Sequence, residues 1–182
     1  GLGDVYKRQE IECEQLLQET VDLRSIVTRF AYTHFNSKDE ELLAAKEVYN
    51  TAFENSNSGK LQKFEHWLSS KDKSKTKLFL VGNKISSPDF NLFDTLDLYC
   101  EFLLYYNFVE NADKNNVFAL LKYPLISDFF NNFKQLPKMQ KYFESELYKL
   151  PFTNKGAKFG SGKRGITWNP SIDTDTTPVS YT

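Results

Sequence analysis

"KISSPDFNLFDTLDLY", residues 84–99, sets a lysine, two serines and a proline directly against one of the most apolar stretches of the chain. The polar residues carry the signals of a helix start. With Ser86 as N-cap, its hydroxyl can accept from the backbone N–H of Asp89, and the Asp89 carboxylate can reach back to the N–H of Ser86. This is a capping box with Asp in place of the usual Glu. Pro88 falls in the first turn, where an N–H would have no intrahelical partner, and Ile85 and Phe90 stand at the two positions of a hydrophobic staple. The helix that follows carries Phe90, Phe93, Leu96, Tyr99, Leu103 and Tyr106, with Leu92, Leu98 and Phe102 on its other sides. A helix apolar around most of its circumference belongs at the centre of a domain. Asp89 then reads as a cap. Asp94 reads as a buried carboxylate that needs a basic or backbone partner, since an unpaired one would be costly.

Upstream, Glu10 to about Phe35 contains no Gly or Pro, and Leu16, Leu23, Val27 and Phe30 recur at helical offsets as a core stripe. Val21, Ser25, Thr28 and Tyr32 share another face of the same helix. A face mixing apolar and hydroxyl side chains suits a cleft better than a core. "DEELLAAKEVYNTAFE", residues 39–54, has an acidic first turn and Leu42, Ala45, Tyr49 and Phe53 in register for a second helix. "NSNSG" should interrupt it, "KLQKFEHWL" resumes with Leu61, Phe64 and Leu68, and "SSKDKSKTK" reads as a solvated loop. Downstream, "ENADKNN" breaks the pattern, and short helices are expected from Pro124 and from Pro137. The glycine-rich "GAKFGSGKRG" leads to a polar tail without periodicity. Only "KLFLV", residues 77–81, is ambiguous between strand and helix. The fold class is all-α, five to six helices around the one that starts at Ser86.

Bulk properties narrow the function. With 182 residues, 40% of them hydrophobic and 15% aromatic, the chain can bury one substantial core and carry tails. A net charge of −1 from 23 basic and 24 acidic side chains provides no general field for nucleic acid or an anionic membrane. Cys13 and Cys100 lie in no metal or redox spacing, and there is no secretory h-region or long apolar run. A reduced, cytoplasmic protein is the expectation. His34 and His66 fall on different predicted helices without a second ligand at i+3 or i+4, so no metal site is expected. "GSGKRG" has the composition of a phosphate loop but neither its full spacing nor a preceding strand. "GLGDVYKRQ", residues 1–9, reads as the translated mosaic end of a sequencing-library adapter and is set apart from the fold. The expected segments are therefore 1–9, a helical domain over 10–160, and a polar tail over 161–182.

The capping box with "LFDTLDLY" resembles the central-helix region of the helical, C-terminal domain of cytosolic glutathione S-transferases, and is most similar to the mu class. "YPLISDFFNNFKQLPKMQKYFES" and "LPFTNKGAKF" continue the resemblance in the family's order, over about residues 10–160. It implies that "EIECEQLLQETVDLR" begins the first helix of that domain, and that a thioredoxin-like domain normally precedes it and is missing here. In the family that domain holds most of the glutathione site and the hydroxyl that stabilises the thiolate, so no catalytic residue is expected in this chain. The departures are extra residues around "NTAFENSNSGK", the lysine-rich loop at 69–77 and the extension from about Gly160.

The resemblance implies roles for particular residues. Asp22 matches the aspartate that meets the γ-glutamyl ammonium of glutathione bound across a homodimer interface, a charge-assisted pair. Tyr32 matches a tyrosine whose hydroxyl points into the pocket for a small hydrophobic electrophile, with Val21, Ser25 and Thr28 on its face. Thr153 and Asn154 match positions that close the pocket. The bland reading of Tyr32 is a packing aromatic. The rival function is a noncatalytic module, since the same helical fold serves in translation-factor subunits and lens crystallins.

Overall fold

A computed structural model of the chain describes residues 2–54, 59–70, 79–162 and 164. Along it run α1 (Leu2–Tyr32), α2 (Lys38–Tyr49), a π turn (Asn50–Glu54), α3 (Lys60–Ser69), α4 (Ser87–Tyr105), α5 (Val117–Leu120), α6 (Pro124–Lys134), a 3-10 turn (Pro137–Met139) and α7 (Gln140–Phe143). The fold is all-helical, and no strand occurs among the described residues. Of "KLFLV", residues 79–81 form part of a loop, and residues 77–78 lie outside the described residues with most of the lysine-rich stretch. "NSNS" and the tail beyond Arg164 lie outside them as well.

Helix α4 occupies the centre. Leu92, Leu96, Tyr99, Phe102 and Leu103 are each 0% exposed. Helix α1 lies along it with Leu16, Leu23, Val27 and Phe30 buried, as their spacing requires. The Tyr99 hydroxyl donates to the Leu23 carbonyl at 2.8 Å, so the buried phenol is satisfied by the backbone of the neighbouring helix.

The helix start at Ser86 is built as expected, with the capping box present. The Asp89 carboxylate accepts from the Ser86 N–H at 2.7 Å, the Ser86 hydroxyl at 2.8 Å and the Leu80 N–H at 2.8 Å. The Leu80 carbonyl accepts from Trp67 Nε1 at 2.7 Å, so the loop before α4 is tied both to α4 and to α3. Burial pushes the Asp89 carboxyl above its ordinary range, against these hydrogen bonds.

Several expectations need correction. The first helix runs from Leu2 to Tyr32, so its bounds differ from the stretch between Glu10 and about Phe35. Ile85 and Phe90 are 37% and 43% exposed, and the Phe90 ring also packs against another helix, meeting Phe133 of α6 edge-on at 5.5 Å. Leu42 is 38% exposed, because α2 buries its Ala45 and Val48 edge. The π turn then brings Ala52 and Phe53 inward, and the Tyr123 hydroxyl fixes it by donating to the Phe53 carbonyl at 2.6 Å. From Pro137 the chain makes a 3-10 turn and a single turn of α7 in place of one helix. Helix α5 was not expected. Asn111 (φ 56°) and Lys122 (φ 66°) turn the chain on either side of it.

Candidate functional site

Val21, Ser25, Thr28 and Tyr32 do share one face of α1. It is an open strip: Val21 is 57% and Tyr32 45% exposed, while Ser25 and Thr28 are half-buried. The Ser25 hydroxyl is spent on its own helix, donating to the Asp22 carbonyl at 2.8 Å. Tyr32, at the end of α1, meets the chain returning from the far C-terminal side. The Lys158 N–H donates to the Ala31 carbonyl at 2.6 Å, and the Asn154 N–H donates to the Tyr32 hydroxyl at 3.3 Å. Because that hydroxyl accepts from Asn154, its own proton remains available to a ligand oxygen.

Thr153 and Asn154 are held in place by their own loop. The Thr153 N–H donates to the Gly160 carbonyl at 3.0 Å, and its hydroxyl to the Phe159 carbonyl at 2.9 Å. The Asn154 side-chain oxygen accepts from the Gly156 N–H at 3.0 Å. The loop closes at Gly160, whose φ of +74° favours glycine and where a Cβ would stand 3.4 Å from the Thr153 hydroxyl. The Thr153 side chain thus faces its loop, and the backbone of Asn154 is what reaches Tyr32.

Asp22 lies beside this strip, its side chain 46% exposed. It accepts from Gln18 Nε2 at 3.2 Å, and Lys60 Nζ stands 3.8 Å away. A half-exposed carboxylate with such loose partners can still receive an ammonium group.

The sequence reading missed the group that pins the C-terminal segment. Asp94 is half-buried, with its side chain 38% exposed, and takes two arginines: Arg24 of α1 at 2.6 Å and Arg164 at 2.7 Å. Arg164 also pairs with the buried Asp97, which accepts from the Tyr148 hydroxyl at 2.8 Å. The guanidinium lies 3.9 Å from the Phe152 ring centroid and 4.6 Å from that of Tyr148. Burial pushes the Asp97 carboxyl up, opposed by Tyr148 and Arg164. Ser161 and Gly162 are also buried, so the packed fold extends past Gly160. The available signal was the pair of acids three residues apart on an apolar helix, which together demand cations.

His34 and His66 are both exposed, and no group of metal-ligating residues occurs among the described residues. Among the same residues, no helix is long and apolar enough to cross a membrane.

Residues 21–146 match the family model of the glutathione S-transferase C-terminal domain. The chain is 30% identical over 156 residues to the glutathione S-transferase class-mu 26 kDa isozyme of Schistosoma mansoni, an alignment that covers 85% of this chain. It spans 58% of the length of that relative. With that match from the C-terminal part of α1 through α7 and an all-helical fold around a capped central helix, the chain belongs to the glutathione S-transferase C-terminal domain family.

Proposed function

We propose that residues 10–160 are the helical half of a cytoplasmic, mu-like glutathione transferase, which adds the thiolate of glutathione to small hydrophobic electrophiles. The observation that carries this reading is the meeting of the mixed face of α1 with the 152–154 segment at the Tyr32 hydroxyl. Val21, Ser25 and Thr28 offer the electrophile a wall, and Asn154 fixes the phenol. During addition, the thiolate forms the sulfur–carbon bond as the carbon–oxygen bond of an epoxide, or the carbon–carbon π bond of an unsaturated ketone, breaks and sends its electron pair to the substrate oxygen. Tyr32 donates its proton to that oxygen. Asp22 holds the γ-glutamyl ammonium of glutathione bound to a second copy, in a homodimer formed through α1, α2 and α3.

Stabilising the thiolate needs a hydrogen-bond donor aimed at sulfur, and this reading assigns that donor to a thioredoxin-like half. The test is expression of the complete reading frame containing residues 10–160, beside the 182-residue chain. Glutathione-dependent turnover of 1-chloro-2,4-dinitrobenzene is expected from the first and none from the second. A complete protein that neither turns over this substrate nor binds immobilised glutathione would overturn the proposal.

A further inference from the structure

The loop that meets Tyr32 is anchored differently on its two sides. Phe159 is buried, edge-on to Phe102 at 5.6 Å and tilted against Tyr106 at 6.1 Å. On the other side Asn154 and Lys155 are exposed and Phe152 is only half-buried. Yet it is this weaker side that brings the Asn154 N–H to the Tyr32 hydroxyl. The bond is long, and a backbone donor keeps such a bond only while the chain that carries it is held in place.

What holds it is Arg164. Its guanidinium lies 3.9 Å from the centroid of the Phe152 ring and 4.6 Å from that of Tyr148, with the side chain 12% exposed. The same group pairs with Asp94 at 2.7 Å and with Asp97, both on the central helix. Tyr148 shares Asp97, to which its hydroxyl donates at 2.8 Å. A planar fork of donors can meet two carboxylates and a ring face together, whereas a lysine ammonium is a single point of charge. The other oxygen of Asp94 takes Arg24 at 2.6 Å, and Arg24 stands on α1 about two turns before Tyr32. One carboxylate of α4 therefore locates both the helix that carries the phenol and the segment that carries its donor.

We infer that Arg164 is a positioning residue for the electrophile pocket: through Phe152 it holds the Asn154 N–H on the Tyr32 hydroxyl, and so aims the phenol proton at the substrate oxygen. A hydroxyl that accepts a hydrogen bond is also a better donor, so the same contact strengthens the proton that Tyr32 offers. The chemical consequence rests on the transferase reading. The geometric part concerns this chain alone, which lets the two be tested apart.

Amide NMR of the 182-residue chain reads the geometry. Tyr32→Phe removes the acceptor and sets the shift of an unbonded Asn154 amide. Arg164→Lys, which retains a charge beside Asp94 and Asp97, and Phe152→Leu, which retains the ion pairs, should each move that amide at least about half as far in the same direction. The amides of Leu23 and Val27 should stay in place and verify the fold. In the complete reading frame, Arg164→Lys should lower kcat on an epoxide about tenfold and leave KM within about twofold. In a Tyr32→Phe background it should cause no further loss, because both changes act through one hydroxyl. An Asn154 amide unmoved in both variants, shifts spread along α1, or a full loss of kcat in the Tyr32→Phe background would each overturn the inference. A complete protein without turnover would overturn the transferase reading instead, and the Asn154 shift alone would then decide whether Arg164 holds that amide on Tyr32.

Discussion

The carboxylate of Glu65 in α3 accepts the backbone N–H of Ile126 in α6 at 3.0 Å, and its other oxygen accepts that of Leu125 at the same distance. Helix α6 opens on Pro124, and its next two donors would otherwise be unpaired in a region that is largely buried. A side chain from another helix therefore acts as the cap, and its charge favours the positive end of α6. Glu65→Ala is expected to destabilise the chain by about 2–3 kcal/mol, since it strands two donors, and Glu65→Gln by about half of that, since one acceptor remains. Urea denaturation reads both. A loss below about 0.5 kcal/mol for Glu65→Ala would mean that water replaces the carboxylate.

At the start of α4 the two capping residues should not be equivalent. Asp89 is 0% exposed and serves three donors, one of them the N–H of the fully buried Leu80. Ser86 contributes one hydroxyl. Ser86→Ala should cost about 1 kcal/mol, the usual loss for a cap, whereas Asp89→Ala should cost about 3 kcal/mol because buried donors lose their acceptor. Equal losses in thermal unfolding would show that the loop at 79–85 relaxes to find other partners.

The contrast between these two helix starts explains what could be read in advance. The α4 cap is local: the partners are three residues apart, and the apolar pattern behind them marks a central helix. The α1 face was legible for the same reason, because helical spacing alone puts Val21, Ser25, Thr28 and Tyr32 together. Glu65 acts on residues about sixty positions away, and nothing in "KLQKFEHWL" distinguishes it from a solvated glutamate. Arg164 was hidden in a glycine-rich stretch that reads as tail. Its role exists only once folding has brought it to Asp94 and Asp97.

Arg164 provides a test with a defined pH dependence. Asp97 is 5% exposed in its side chain and Arg164 12%, so Arg164→Ala leaves a buried carboxylate without its cation. Its cost should be about 3 kcal/mol at neutral pH. Burial already raises the Asp97 carboxyl above its ordinary range, and loss of the Arg164 charge raises it further. A carboxyl whose value is raised by folding favours the fold below its unfolded value and disfavours it progressively as pH rises through the folded one. The deficit of Arg164→Ala should therefore be small near pH 4 and grow toward pH 7. A deficit independent of pH would assign the role of Arg164 to its stacking on Phe152 and Tyr148.

Tyr32→Phe separates chemistry from packing. The hydroxyl accepts one long hydrogen bond, 3.3 Å from the Asn154 N–H, on a residue that is 45% exposed. Its removal should change folding stability by no more than about 0.5 kcal/mol, because water can replace it. Under the proposed transferase reading, with residues 10–160 joined to a thioredoxin-like half, conjugation of an epoxide places developing charge on an oxygen that needs a proton, and the variant should lose about a hundredfold in kcat/KM. Substitution on 1-chloro-2,4-dinitrobenzene delocalises its charge into the nitro groups and expels chloride, so the same variant should change that rate by less than about threefold. Equal losses on the two substrates would place Tyr32 in the wall of the pocket. An undiminished epoxide rate would remove it from the reaction altogether.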